Sequence, residues 1–403
     1  MENHRMSNPS TIQGRNALRQ VASRGAFTRA AVLTAVAAMG LAPARASIWE
    51  NHDWALIGDA EASVTYDSNI FAFDGGESDT IVGVTPALTL QRKGSATNLS
   101  LMADVNVRYF MDRSDQDSKD PSVLLSFGYP NTQEAMLRQS GRLGWNRINY
   151  PDYSIGDRVQ RTELHGNWQG VLRDNGKTRI IANLGGRDTD YTDLNSDVLD
   201  FNGGVGIAWS RHELLEYNLS VNYSHAEYSD VRGGIGDATR KGYGLNIGIR
   251  GEITPKITGD ASIGVGENKY SGSLSGSDTN WSTRANITWA PSERRSLNLN
   301  ANRGTYFDAL GTAYNRTEAD FTFRQGMAGG FSGSARLGFG EYDYSEAGGT
   351  RKDTYVRLGA GLDYSLTGRF AAGLNFNWTD KGSDLARYEF AQHEIIARAS
   401  YRF

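Results

Sequence analysis

Cysteine is absent from all 403 residues. That excludes a disulfide framework, a thiolate metal site and a thiol nucleophile. It is compatible with an oxidising compartment but does not require one. Histidine is scarce, with 6 in the chain. His52, His165, His212, His225 and His393 lie beyond residue 46, and no pair has the spacing of transition-metal ligands. There is no G-x-S-x-G elbow for a serine–histidine hydrolase. His165 beside Glu163 in "RTELHGNW" is the nearest approach, and it reads as two ordinary polar residues. The acidic stretch "DRSDQDSKD" (112–120) lacks the sixth-position glycine and late glutamate of a calcium loop, and it and "DGGESD" (74–79) read as solvated loops. The G-x-G fragments at 203–206 and 359–361 open no helix, which removes a nucleotide site. No enzymatic activity, cofactor or metal is expected.

Past Ser47 no segment is apolar enough for a transmembrane helix. The exception to the hydrophilic average is near the N-terminus. Arg5, Arg15, Arg19, Arg24 and Arg29 precede "AAVLTAVAAMGLA" (30–42) and then "PARAS". This is a basic region, a short apolar core and an A-x-A site at Ala44–Ala46, the pattern of a secretory leader. Residues 1–46 are therefore expected to be a signal peptide and residues 47–403 the mature protein, with translation starting at Met1 or Met6. The formal charge of −4 falls to about −9 once the arginine-rich leader is removed. A net acidic chain without a basic cluster is a poor nucleic-acid binder.

What the chain does have is alternation. In "TNLSLMADVNVRYF", Leu99, Leu101, Ala103, Val105, Val107 and Tyr109 share one parity, and Asn98, Ser100, Asp104, Asn106 and Arg108 the other. Val356, Leu358, Ala360, Leu362 and Tyr364 repeat the plan, as do Tyr217, Leu219, Val221 and Tyr223. Period-2 patterning marks strands with two unlike faces. The runs reach ten residues or more, whereas strands of a soluble sandwich average about five or six. Their apolar faces often end in aromatic residues, as at a membrane interface. Short turns such as "ITPKI" (253–257) and "APSERR" (290–295) trade places with longer loops at 67–79, 111–121, 229–242 and 345–353. That asymmetry belongs to outer-membrane barrels.

The count is eighteen strands, or sixteen if the pair at 121–129 and 134–147, split by "PNTQ", is discounted. At about twenty residues per strand nothing remains for a plug domain. The expected fold is an all-β, antiparallel up-and-down transmembrane barrel. The chain ends "ARASYRF": Ile395, Ala397, Ala399, Tyr401 and Phe403 make a lipid face, while Glu394, Arg398, Ser400 and Arg402 face water. Aromatic residues last and third-last resemble the signal that bacterial barrels present to their assembly machinery.

On this register the lumen candidates are Asp104, Arg108, Arg142, Arg161, Glu163, Arg187, Asp200, Arg284, Asp320, Arg324, Arg336, Arg357 and Asp363. Pairs of opposite sign would brace the wall or orient a polar solute. The mixed charge argues against strong ion preference. Asn98, Asn106, Asn218, Asn222, Asn298, Asn300, Asn375 and Asn377 add uncharged partners suited to sugar hydroxyls.

The segment "VTYDSNIFAFDGGESDTIVGVTPALTLQRKG" (64–94) resembles the opening of the putative β-barrel porin 2 family. The matching residues are Tyr66, Asp67, Ser68, Asn69, Ile70 and Phe71, then Ser78, Asp79, Ile81, Pro86, Leu88 and Leu90. The resemblance implies a Gram-negative outer-membrane barrel, linked to exopolysaccharide export and working with periplasmic polysaccharide-export and copolymerase proteins. It carries no established ligand residues. The expected surroundings are membrane lipid and lipopolysaccharide. A general diffusion porin and a structural or adhesive surface barrel are the alternative readings.

Overall fold

A computed structural model describes residues 47–403, apart from 93, 95, 131, 133, 134, 153–156, 174–176, 195, 213, 231–235, 274, 309–311, 347, 348 and 367. The expected leader, residues 1–46, lies outside the described residues. The strands are β1 (Trp49–Glu50), β2 (Trp54–Asp67), β3 (Asp79–Arg92), β4 (Asn98–Phe110), β5 (Ser118–Tyr129), β6 (Leu137–Asp152), β7 (Asp157–Arg173), β8 (Thr178–Tyr191), β9 (Ser196–His212) and β10 (Leu215–Asp230). They continue with β11 (Ala238–Thr254), β12 (Ile257–Gly272), β13 (Gly276–Ser292), β14 (Arg295–Phe307), β15 (Ala313–Gly326), β16 (Phe331–Glu346), β17 (Gly349–Ser365), β18 (Phe370–Ser383) and β19 (Phe390–Arg402). No described helix is longer than a single 3-10 turn of 3 residues.

From β2 to β19 each strand pairs antiparallel with the next, and β19 returns to pair with β2. The result is a closed eighteen-stranded barrel. The doubtful pair around "PNTQ" is present as β5 and β6. The barrel strands β2 to β19 run from 12 to 17 residues, more than the about 9–11 that cross a bilayer. Both faces of the excess length can be wet, so the ladder continues after the apolar alternation has stopped. For that reason the loop expected at 345–353 is nearly all strand, with Ser345 paired to Thr350. The loops expected at 111–121 and 229–242 shrink in the same way, because β5 begins at Ser118 and β10 reaches Asp230.

Alternation sorts the two faces as the residue types require. Val205, Val221, Leu245, Val265 and Trp281 are successive ladder neighbours across β9 to β13, and all are exposed on the outer surface. One residue along, Gly204, Asn222, Gly244, Gly266 and Asn280 form the facing row on the lumen side. Exposed apolar rows on this scale suit a lipid surround and not water.

The seam where the cylinder closes is built from both ends of the described chain. β19 pairs with β2 from Glu394–Asp67 down to Arg402–Asp59. Beyond its end, the Phe403 N–H donates to the Gly58 carbonyl at 2.7 Å and the Ile48 N–H to the Leu56 carbonyl at 2.8 Å. β1 then takes over, pairing Trp49 with Leu56 and Glu50 with Ala55. The lower edge of β2 is thus covered. Ala397 sits inside this seam, opposite both Leu374 and Val64. An Ala397→Pro substitution removes a ladder donor from a central strand, and it is expected to abolish the compact, heat-modifiable form on semi-native gels. Arg398→Gln, on the lumen side, is expected to retain that form.

Candidate functional site: a polar lumen filled at its outer end

The lumen wall is widened by glycine. Asn222, Asn202 and Asn246 lie flat over Gly204, Gly185 and Gly264 of neighbouring strands, where a Cβ would overlap the amide oxygen. Asn375 lies over Gly361 in the same way, its Oδ1 2.6 Å from where a Cβ would stand. Each glycine therefore serves as a shallow slot for the next strand's amide. The wall stays polar without projecting far into the bore. A cavity of about 760 Å³ runs along this stretch, lined by Asn167, Asn183, Asn202, Asn222, Asn246, Asn268 and Asn280 among others.

The sequence-predicted residues share the inner face of the ladder, and several of them form ion pairs there. Arg161 meets Glu163 at 2.8 Å, Arg336 meets Asp320 at 2.8 Å, and Arg398 meets Asp363 at 2.9 Å. Arg108 pairs with Asp120 at 2.7 Å and lies over the Tyr150 ring at 4.2 Å. Ser122 donates to Asp104. Arg187 and Asp200 are ladder neighbours on β8 and β9 and line the asparagine cavity. Arg357 rests on the Tyr355 ring at 4.1 Å. Arg284 faces Asn302 on β14, and Arg324 faces Ser334 on β16. Arg142 lines a separate cavity toward the short turns. The Arg336–Asp320 and Arg398–Asp363 pairs are exposed to the bore, where an ion pair adds about 0–1 kcal/mol. They set the chemistry of the wall more than its stability.

Toward the long loops the lumen is filled. Two breaks in the ladder allow this. β5 and β6 pair only as far out as Ser122–Asn146, and β13 and β14 only as far out as Thr283–Arg303. The free upper end of β6 brings the Asn149 carbonyl to Arg108 and, at 3.0 Å, to Arg158. The free upper end of β14 brings Thr305 to Asn268 at 3.3 Å and Asn280 at 2.6 Å on the other side of the gap. Asp152 then lies close enough to interact electrostatically with Tyr191 of β8, Tyr314 of β15 and Lys381 of β18, groups from widely separated parts of the wall.

The family-like segment at 64–94 builds the third part of this filling. Asp67 accepts from the Asn69 backbone N–H at 2.8 Å and from Gln392 at 2.9 Å. Asn69 donates to the Phe73 carbonyl at 2.9 Å, and its Oδ1 accepts from the Ala72 N–H at 2.9 Å. These bonds turn the chain inward after β2. Ile70, fully buried at 0% exposure, packs with Phe71, Ile81 and Phe110, with Phe73 at the edge. The Ile70 carbonyl accepts from Arg158 at 3.3 Å, four strands round from β3. Asp79 accepts from the backbone N–H groups of Met111, Asp112 and Arg113 at 2.8–3.2 Å, fixing the neighbouring turn. Outside the wall, Arg113 bonds Asp115 at 3.0–3.1 Å. These hydrogen bonds hold the Asp115 carboxyl below the usual carboxylate range.

Absent from the sequence-predicted residues is a tyrosine cluster on β15 to β17. Tyr314, Tyr342, Tyr344 and Tyr355 pack with ring centroids 4.9–5.7 Å apart in successive contacts, stacked at Tyr314–Tyr344 and edge-on at Tyr342–Tyr355. Arg351 is sandwiched between the Tyr344 and Tyr388 rings at 3.7 and 3.9 Å. Asp353, at 0% exposure, is held by Lys381 at 2.8 Å and Arg351 at 3.4 Å. The inward alternation of Tyr342 and Tyr344 in "EYDYSE" was the available signal. The assembly-signal candidates Ile395, Ala397, Ala399 and Tyr401 follow one outward row opposite Tyr66, Val64, Ala62 and Ala60. The Phe403 ring lies 5.0 Å from Tyr401, just past the strand end.

A closed eighteen-stranded cylinder, apolar outside and polar within, is a barrel of porin architecture. The chain belongs to the Putative beta-barrel porin 2 family, whose pattern it matches over residues 53–403. Among solved structures it is similar to OpdL of Pseudomonas aeruginosa (11% identity, 88% of this chain and 99% of that one, TM-score 0.48). It is also similar to the outer membrane protein OpdK of the same organism (11%, 86% and 99%, TM-score 0.46). A third likeness is to the FrpB iron transporter of Neisseria meningitidis (10%, 88% and 82%, TM-score 0.46). No curated protein matches the chain in sequence.

The filling has a measurable consequence. Deleting residues 70–76 removes the Ile70–Phe71–Phe110 contact and is expected to raise single-channel conductance severalfold in planar bilayers. Unchanged conductance would place the current-limiting constriction elsewhere.

Proposed function

We propose that the protein is a passive outer-membrane channel for hydroxyl-rich solutes, with a secreted exopolysaccharide as its passenger. The observation that carries this reading is the glycine-slotted asparagine wall. Side-chain amides both donate and accept, so they can exchange hydrogen bonds with sugar hydroxyls as water does. A wall of this kind offers many weak, equivalent partners and no deep site, which suits passage more than retention. The family resemblance supports the passenger class, and the exposed apolar belt supports the membrane setting. The natural partners are then lipid and lipopolysaccharide outside, the barrel-assembly machinery during insertion, and polysaccharide-export and copolymerase proteins on the periplasmic side. Fold alone does not specify cargo.

Polymer passage on this reading requires the 68–78 loop and the upper β6–β7 hairpin to swing out of the bore. Their packed position favours a second reading, a diffusion porin for small polar solutes. A structural surface barrel is the third, and it would conduct no ions. Deletion of the gene decides among them. The expected result is loss of surface polysaccharide, restored by the intact gene. Unchanged secretion with slower uptake of small solutes would transfer the assignment to the porin reading.

A further inference from the structure

The charges in the lumen are not evenly mixed. At the short-turn end a cavity of about 1060 Å³ is lined by five arginines, Arg138, Arg142, Arg173, Arg179 and Arg250, and by one described carboxylate, Glu216. Glu216 is already paired with Arg179. No described carboxylate pairs with the other four. Arg173 and Arg179 are direct ladder partners on β7 and β8, an arrangement in which like charges destabilise the sheet. Arg138, Arg173 and Arg250 are all near enough to Arg179 to repel it. The Nε of Arg173 is buried with no hydrogen-bond partner among the described residues. The remaining lining is uncharged: Asn98, Ser100, Gln139 and Asn167 are polar, and Leu99 and Phe127 apolar. Arg250 has the carboxylates Glu216 and Asp260 as its ladder neighbours, whereas the ladder neighbours of Arg138, Arg142 and Arg173 include no acid, which leaves those guanidinium forks open.

We infer that this end of the lumen is a binding mouth for an oxyanion-bearing chain, so that the passenger is a polyanion with carboxylate or phosphate groups. Guanidinium binds both groups through paired, charge-assisted hydrogen bonds. Clustered positive charge in a low-dielectric cleft also gathers anions from solution. The mouth faces the side on which both barrel ends lie, where an exported chain would enter. In the asparagine stretch beyond it charges are sparse, with Arg187 set beside Asp200, so a chain drawn in by its charges could slide onward through its hydroxyls. The inference rests on the channel reading for its direction of transport but on the arginines alone for its ligand.

The test uses the full mature barrel in planar bilayers. Oligogalacturonate, polyphosphate and neutral dextran of matched length are added to either side in turn. Block of the current by the polyanions is expected at roughly ten-fold lower concentration than by dextran, from one side only. In R138Q/R142Q/R250Q that advantage is expected to vanish while dextran block is unchanged, and R138K/R142K/R250K should keep part of it. Preference for oligogalacturonate or for polyphosphate assigns the oxyanion, and either outcome supports the mouth. Equal block by polyanion and dextran, or an advantage that survives in R138Q/R142Q/R250Q, overturns it. If the barrel carries no current, the channel reading fails on its own. Calorimetric binding of the same polyanions to the detergent-solubilised barrel then decides the inference, with absence of binding, or binding unaltered by the three glutamines, counting against it.

Discussion

Every other feature of this molecule depends on the pairing of β19 with β2. A sheet in hydrocarbon has no water to satisfy its edges, and each unpaired N–H or C=O there costs several kcal/mol. Closure removes the cost all at once, and only if the first and last barrel strands find each other in register. Here nine residue pairs join them, from Glu394–Asp67 to Arg402–Asp59, and β1 continues the cover where β19 stops. The apolar belt, the polar lumen and the sorted charges are all consequences of a wall that has no edge.

Within that wall the two faces solve different problems. The outer rows need only be apolar and mutually compatible, so valine, leucine and tryptophan recur as ladder neighbours. The inner rows must be polar yet leave room. Glycine opposite asparagine meets both demands, because the amide occupies the volume that a Cβ would have taken. At the outer end the same geometry is abandoned. Two ladders part, the freed strand ends lean in, and buried rings and ion pairs take up the bore. At the short-turn end a cluster of arginines around Arg173 and Arg179 has one carboxylate, Glu216, in its cavity. The lumen along β6 to β13 is therefore graded: arginine-rich at the short turns, asparagine-lined further on, then packed toward the long loops.

Much of this was legible in the chain. The period-2 rows of "EYNLSVNY" and "TNLSLMADVNVRYF" identify both the strands and their faces, since a strand with one lipid face has little freedom in what it presents. The strand count survived even the doubtful turn at "PNTQ". The loop at 345–353 is shorter than the alternation implies, because hydrophobic alternation reports the apolar belt and not the end of hydrogen bonding. The resemblance at 64–94 pointed to a family, but the role of its residues could not be read from it. Asp67, Asn69 and Asp79 turn out to shape loops, a matter of backbone partners hundreds of residues apart, such as Asn69 and Ala391. The sorting of charge was also invisible. Arg138, Arg173 and Arg250 are scattered in sequence, and only the register of β6 to β11 gathers them.

The central claim is that consecutive side chains meet lipid and water in turn. Because the chain has no native cysteine, single cysteines can be placed at residues 218 to 222 of β10 and the barrel inserted into liposomes. A water-soluble, membrane-impermeant maleimide is predicted to label Asn218→Cys, Ser220→Cys and Asn222→Cys, while Leu219→Cys and Val221→Cys react only with a lipid-dissolved probe. Equal labelling along the strand, or a chain that stays in solution without entering vesicles, would contradict the account.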